Sequence, residues 1–260
     1  MFNIFNELKV FKDRHLANII YSLYMNHAEL QEELEQRINL AKERKENDSI
    51  HNKLYDADFP YINEDELKKG FNIDSLNEID QDLFNKRIKE LSFLNDRDKP
   101  NLLLFGKPGK GKELLSVLIG RAACKKGYKT NFIRYEYLLD IFRGDGYFDP
   151  ANEPYSTLAK SECLIIDDFA GTIERDKMVI SELQRFFRYR QANHLNGTGN
   201  KRRPRSNILL SYYPFHKWND YLADEEEKAC YFKSLIENHG TTIKVDNSIE
   251  YQNLESRFWY

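Results

Sequence analysis

The chain has 260 residues, enough for one main domain and a smaller appendage. Its formal net charge is -3, so no field of the whole molecule favours nucleic acid, and any such site must be a local patch. The three cysteines lie far apart in the sequence, which excludes a disulfide framework and a cysteine metal site. The N-terminus does not read as a signal peptide, and no apolar stretch approaches the length of a membrane span. We therefore expect a cytoplasmic protein without a membrane partner.

Residues 1–60 are predicted to form a small helical N-terminal domain, because apolar residues recur there at helical spacing. Its second helix is heavily charged, which is typical either of a solvated helix face or of an appendage that grips a partner or DNA. Asp58-Phe59-Pro60 should end the helix, since proline restricts the residue before it. Residues 61–100 are predicted to be a connector, with a short amphipathic helix over 85–94.

From residue 101 onwards, apolar strands alternate with helices. The strands are predicted at 102–105, 130–134, 163–168, 207–211 and 242–245, and the main helices at 114–124, 135–142 and 177–191. Such alternation predicts an α/β domain over 101–260 with a mostly parallel five-stranded sheet covered on both faces. Ligands bind these sheets at the carboxyl ends of the strands, which places the segment 106–113, Asp167 and Ser211 at one edge.

A glycine-rich loop joins the first of these strands to its helix. It reads Gly106-Lys107-Pro108-Gly109-Lys110-Gly111-Lys112-Glu113. Strand, glycine-rich loop and helix together form the context of a phosphate-binding loop, in which backbone N–H groups converge on phosphate oxygens and Lys112 contacts the terminal phosphates. Such loops normally end in Ser or Thr, whose hydroxyl binds Mg2+, but here the position holds Glu113. The alternative is a glycine-rich turn without a ligand.

An acidic pair, Asp167-Asp168, closes the third predicted strand of the domain. A nucleotide hydrolase keeps its Mg2+-binding acid at this position, with a second acid that orients water. We therefore take Lys112, Asp167 and Asp168 as candidate catalytic residues, and Glu113 and Asp167 as candidate metal ligands. An acidic pair at a strand end can instead cap a helix or a turn.

Positive charge is concentrated between Glu182 and Asp220, an interval without acidic residues. It includes a predicted loop at 193–200 and has aromatic neighbours, a combination that suits contact with the phosphate backbone of DNA. The candidate DNA-binding residues are Arg188, Arg190, Lys201, Arg202, Arg203 and Arg205. The same charge could instead serve solubility or pair with the acidic run at 224–227.

Taken together, these motifs resemble the IstB/DnaC-like branch of the AAA+ ATPases. The segments that carry the resemblance are the entry motif at 58–60 and 70–72, the loop at 106–113, the Walker B strand at 164–171 and the stretch at 208–218. The resemblance implies a P-loop domain of three α/β/α layers that binds ATP and Mg2+ and forms a homo-oligomer on DNA. The charged N-terminal helices resemble transposition helpers, which recruit or stimulate a transposase, more than replicative helicase loaders. A helicase loader and a catalytically inactive scaffold are the alternatives.

Three polar positions depart from the family pattern. Glu113 replaces the Mg2+-binding hydroxyl, Tyr212 replaces the sensor asparagine, and Ser234 stands where the family has an arginine. Because each lost transition-state stabiliser typically costs about 10²-fold in rate, we expect an ATPase whose hydrolysis is impaired. Arg202, Arg203 and Arg205 are candidates to replace the missing arginine.

Overall fold

The computed structural model describes residues 19, 28–145, 148–171, 176–192, 205–220, 226–245 and 257–258. Contacts within the chain divide it into two units, Met1–Asn52 and Lys53–Tyr260. The first of the predicted N-terminal helices lies almost entirely outside the described residues. Within the described part of the chain, no helix is both long and apolar enough to cross a membrane.

Helix α1, Ala28–Asp56, accounts for most of what is described before the connector. Its side chains from 36 to 52 are largely exposed, including that of Leu40, which agrees with the charged character of this stretch. The helix ends where it was predicted to end, because Asp58 has a left-handed backbone with φ of 54° and Pro60 follows.

The connector contains α2 (Glu64–Lys69), the short strand β1 (Phe71–Asn72) and α3 (Glu78–Arg87). The prediction of a helix over 85–94 was wrong, because the helix begins and ends earlier. It begins early because the Asn77 side chain accepts a hydrogen bond from the Asp80 backbone N–H at 2.9 Å and donates one to the Asp80 carboxylate at 2.6 Å. It cannot run on to residue 94, because Leu91 has a left-handed φ of 55°.

The remaining elements form a sheet with helices on both faces. In chain order they are β2 (Asn101–Phe105), α4 (Lys112–Lys125), β3 (Thr130–Arg134), α5 (Tyr135–Asp145), α6 (Tyr155–Lys160), β4 (Cys163–Asp167), α7 (Lys177–Ala192), β5 (Ser206–Ser211), α8 (Glu226–Glu237), β6 (Gly240–Lys244) and β7 (Arg257–Phe258). The five strands β2 to β6 pair in parallel in the order β3-β4-β5-β2-β6, and β7 pairs antiparallel with β1. All five predicted strands of the domain are confirmed, whereas α6 and α8 were not predicted.

Two apolar clusters fill the space on either side of the sheet. Leu102 and Leu104 of β2 pack into the cluster that includes α4 and the connector. Leu103, between them, points into the other cluster, which includes α5, α7 and α8. Since alternate residues of one strand are buried on opposite faces, the sheet is the middle of three layers, as expected for a parallel sheet.

Candidate nucleotide-binding site

The carboxyl ends of the parallel strands bring the predicted site residues to one edge of the sheet. A cleft of about 1040 Å³ opens there, within the unit Lys53–Tyr260. It is lined by the pair Asp167-Asp168, by Ser211 and by the loop residues Pro108, Gly109, Gly111, Lys112 and Glu113. The structure therefore places the glycine-rich loop and the acidic strand end around a single cavity, as strand order predicts.

The backbone of the loop is shaped by its glycines. Gly106 has φ of 154°, and a Cβ atom there would lie 2.2 Å from the carbonyl oxygen of Val245, just beyond β6. Gly109 and Gly111 also have positive φ, 73° and 85°. Because residues with a side chain resist these angles, the loop requires glycine at these positions to turn from β2 into α4.

Lys112 is the first residue of α4 and extends back over the loop. Its Nζ donates hydrogen bonds to the carbonyl oxygens of Gly106, at 2.6 Å, and Lys107, at 2.9 Å. Burial lowers the pKa of Lys112, and the nearby carboxylates of Asp167 and Asp168 act in the opposite direction. Since Gly111 has no side chain to cap the helix, the first N–H groups of α4 remain suited to an anion beside this lysine.

The acidic pair is held in a tight turn at the end of β4. Asp168 has a left-handed φ of 52°, and its N–H donates to Asp167 Oδ1 at 2.9 Å. A Cβ atom on Gly171 would lie 2.3 Å from the Asp168 carboxylate, so this glycine gives the carboxylate its space. Burial raises the pKa of both acids, and the charge of Asp167 raises the pKa of Asp168 further.

Two further charged residues of the cleft, Glu113 and Arg134, act on the acidic pair or on each other. Burial raises the pKa of Glu113, and the Asp167 charge adds to this rise, while Arg134 opposes it. Arg134 also lowers the pKa of Asp167, which it faces in the register between β3 and β4. Sequence reasoning missed Arg134, although it is the last residue of a predicted strand and so belongs to the same sheet edge.

The connector supplies another wall of the cleft, which sequence reasoning also missed. Tyr61, Ile62, Asn63 and Gly70 line it. Tyr61 is 91% exposed, so it stands at the rim with its ring accessible. These residues follow the helix break at Pro60. The positions of residues in the sequence do not show that this segment lies close to the glycine-rich loop.

Comparison with known proteins identifies the family. The family model described as IstB-like ATP binding protein matches residues 24–253. The chain belongs to this family.

Among curated relatives, the IstB-like chain is similar to the ATP-binding protein of insertion sequence IS1162 from Pseudomonas fluorescens, with 38% identity over 76 residues, 28% of this chain and 32% of the relative. It is also similar to the ATP-binding protein of insertion sequence IS5376 from Geobacillus stearothermophilus, with 37% identity over 84 residues, 32% of this chain and 34% of the relative. The alignments thus span about a third of these relatives' own length.

Solved structures support the AAA+ fold of the IstB-like chain. A DNA replication initiation factor matches with a TM-score of 0.52 and 16% identity, covering 72% of this chain and 51% of that chain. The replication initiator DnaA, bound to AMPPCP and single-stranded DNA, matches with a TM-score of 0.51 and 17% identity, covering 72% and 52%. DnaI matches with a TM-score of 0.50 and 16% identity, covering 71% and 92%. At these identities the likeness establishes the fold.

The acidic residues of this IstB-like site suit Mg2+ only in company with a nucleotide. Among the described residues, no group of three or more His, Cys, Asp or Glu side chains could hold a metal ion. Glu113 and Asp167 are two carboxylates of one cleft whose charges act on each other. Because Mg2+ is commonly bound by one or two carboxylates, substrate phosphates and water, this pair fits the ion once phosphate oxygens complete the set.

The candidate DNA-binding residues have different environments. Arg188 is exposed, and its guanidinium lies 5.2 Å from the centre of the Tyr231 ring. Arg205 is half-buried and lies 5.2 Å from the centre of the Tyr189 ring. Lys201, Arg202 and Arg203, with the predicted loop at 193–200, lie outside the described residues.

The prediction that Arg190 contacts DNA was wrong, because its side chain is 0% exposed. Its guanidinium donates to the carbonyl oxygens of Leu158, at 2.7 Å, and Ser206, at 2.8 Å, and to Asn207 Oδ1 at 2.7 Å. Arg190 thus joins the end of α6 to the start of β5. Helical spacing could have separated it from Arg188, because Arg190 follows the buried Phe186 and Phe187 by four and three residues and so lies on the apolar face of α7.

The other two departures from the family pattern also have defined surroundings. Tyr212, which follows β5, is 40% exposed and lines the cleft. Ser234 donates a hydrogen bond from Oγ to the carbonyl oxygen of Tyr231 at 2.8 Å, within α8 itself. A side chain this short, bonded to its own helix, has neither the charge nor the reach of an arginine.

Proposed function

We propose that this chain is an ATP-dependent DNA-binding helper ATPase of DNA transposition that oligomerises on target DNA and recruits or stimulates a transposase. The observation that carries the proposal is the cleft itself, where a glycine loop, Lys112 and three carboxylates meet at the carboxyl edge of a AAA+ sheet. Membership of the IstB-like family and the likeness to insertion-sequence ATP-binding proteins support it. They favour a transposase as partner over a replicative helicase.

In this proposal the loop and the start of α4 bind the phosphates of ATP. Lys112 exchanges the carbonyl oxygens of Gly106 and Lys107 for phosphate oxygens, which keeps its buried charge paired. Glu113 and Asp167 would hold Mg2+, which neutralises phosphate charge when bound. Asp168, with its raised pKa, accepts a hydrogen bond from the attacking water and orients it.

Hydrolysis is proposed to be slow, so that bound ATP acts as an assembly signal. Tyr212 lacks the amide of the family's sensor residue, and Ser234 brings no arginine to a neighbouring subunit. Each such loss removes about 10²-fold in rate. A steady-state ATPase assay with DNA should therefore show well under about one turnover per second, below the typical enzyme range. Several turnovers per second would contradict the proposal of slow hydrolysis but would not contradict the proposal that the cleft binds nucleotide.

Lys112→Ala tests the proposed site. It should weaken binding of a fluorescent ATP analogue by at least about 100-fold, because the loop loses the charge-assisted contact that Lys112 makes to the terminal phosphates. The exposed Lys129 at the start of β3 lies outside the cleft, so Lys129→Ala is the control and should bind as the unaltered protein does. Equal affinities of the Lys112→Ala and Lys129→Ala variants for the analogue would show that Lys112 does not bind the nucleotide.

The alternative functions predict different partners. A helicase loader should retain a replicative helicase in a pull-down, whereas a transposition helper should retain the transposase of its own insertion sequence. A catalytically inactive scaffold should assemble identically with and without nucleotide. Capture of the helicase and not the transposase would replace the proposed function with that of a loader.

A further inference from the structure

The nucleotide cleft has an unfavourable charge for the ligand proposed for it. Among its described lining residues, five are acidic and three are basic. ATP is itself an anion, so every carboxylate close to its phosphates opposes binding unless a cation offsets it. Repulsion of the phosphates is expected to be strongest for Glu113, because this residue occupies the last position of the phosphate-binding loop and lines the cleft beside Lys112.

Arg134 is placed to offset that charge. It is the last residue of β3, lines the same cleft, and lies opposite Asp167 in the parallel register between β3 and β4. Arg134, Glu113 and Asp167 thus line one cleft, which places the guanidinium among the carboxylates whose charge it would offset. Lys112 is close enough to act on Asp167 and Asp168 as well, and its Nζ is hydrogen-bonded to the carbonyl oxygens of Gly106 and Lys107.

We infer that Arg134 is a positioning residue that neutralises Glu113 and so allows the cleft to accept a polyphosphate despite the missing hydroxyl of its loop. The inference rests on the proposed function, since it concerns the same site. It specifies a dependence: Arg134 is needed because Glu113 is present. With a serine at position 113, the loop would carry no extra negative charge, and the guanidinium would become largely dispensable for nucleotide binding.

A double-mutant cycle tests this dependence directly. The dissociation constant of a fluorescent ATP analogue with Mg2+ is measured for the unaltered protein, Arg134→Gln, Glu113→Ser and the double variant. Arg134→Gln alone should weaken binding by about tenfold, and by less than about threefold when Glu113→Ser is also present, because contacting charged groups are energetically coupled. Arg97→Gln is the matched control, an exposed arginine outside the cleft lining, and should leave binding unchanged.

A charge-preserving variant separates neutralisation from packing. Arg134→Lys should recover most of the affinity lost in Arg134→Gln, whereas a purely structural role of the guanidinium plane would give no recovery. Thermal melting of each variant confirms that the domain is folded. An equal loss from Arg134→Gln in the unaltered background and in the Glu113→Ser background would overturn the inference, as would no loss at all. If the unaltered protein binds no nucleotide, the proposed function is contradicted, and so is this inference, which depends on it.

Discussion

At the scale of single residues, the site contains ionisable groups whose charged forms are destabilised by burial. Burial raises the pKa of Glu113, Asp167 and Asp168 together, and it lowers the pKa of Lys112. Each of these shifts means that folding disfavours the charged form of the group. Clustered groups with shifted pKa values in a cleft are typical of functional sites.

Asp168→Asn should stabilise the unliganded protein while it slows hydrolysis. A carboxyl whose pKa is raised in the folded state holds its proton more tightly there, so its ionisation at pH 7 costs stability. Asparagine removes that charge and also tolerates the left-handed φ of 52° at this position. We expect a small rise in the melting temperature at pH 7 by scanning calorimetry, because Asp168 is exposed and solvent screens part of its charge.

The pH dependence of that gain is the check on its cause. The difference in melting temperature should shrink as the pH falls towards the ordinary carboxyl range of about 4, because Asp168 is then protonated in the unaltered protein too. Asp98→Asn, at an aspartate outside the cleft, is the control and should show no comparable rise. A gain that is independent of pH would assign the effect to backbone conformation alone.

Arg190 and Arg188 should respond in opposite ways to substitution. Arg190→Met should lower the free energy of unfolding by about 3 kcal/mol, because it leaves buried carbonyl oxygens of Leu158 and Ser206 without a donor. Arg188→Gln should change it by less than about 0.5 kcal/mol, since the side chain is exposed. Urea unfolding measures both, and DNA binding by fluorescence anisotropy should weaken for Arg188→Gln only. Equal stability of the two variants would contradict the structural role of Arg190.

At the scale of elements, the loop depends on the strand beside it. The Val245 N–H donates to the carbonyl oxygen of Phe105 at 2.8 Å, which holds the end of β6 against the point where β2 enters the loop. Gly106 passes so close to that segment that no Cβ atom fits. The start of the phosphate-binding loop is therefore fixed by β6, which is the last strand of the sheet along the chain.

Gly106→Ala should consequently disrupt nucleotide binding more than Gly109→Ala. Alanine at position 106 would place its Cβ 2.2 Å from the Val245 oxygen, whereas nothing lies within 4 Å of the corresponding position at Gly109. Gly109→Ala then carries only the cost of its positive φ, about 1 kcal/mol. Affinity for the ATP analogue and the melting temperature report the contrast. Similar losses for the two variants would show that the loop conformation depends on the backbone angles of its glycines and not on close contact with the end of β6.

The same elements show what could be predicted from the sequence and what could not. Strands β2, β4 and β5 were the most predictable, because each contains a short apolar run that is buried along almost its whole length. The loop was predictable because its glycines stand between a strand and a helix. The helix over 85–94 was misplaced because capping by Asn77 and the left-handed Leu91 override apolar spacing. The role of Arg134 depends on strand register, which spacing in one chain does not encode, whereas the burial of Arg190 follows from its place on the apolar face of α7.

At the scale of the whole molecule, the nucleotide and the proposed DNA contact lie at different ends of the sheet. The loop follows the carboxyl end of β2, whereas Arg205 immediately precedes the amino end of β5, and β2 and β5 are parallel. Within one chain, Arg205 therefore lies away from the candidate nucleotide cleft. This separation favours the proposal that ATP acts on DNA binding through assembly of neighbouring copies.

The mass of the assembly on duplex DNA, measured by multi-angle light scattering with and without ATP, tests the central claim most directly. The account predicts a species of several copies only when DNA, ATP and Mg2+ are all present, and no such species for Lys112→Ala under the same conditions. An assembly of the same mass with and without ATP, or one that forms equally with Lys112→Ala, would contradict it.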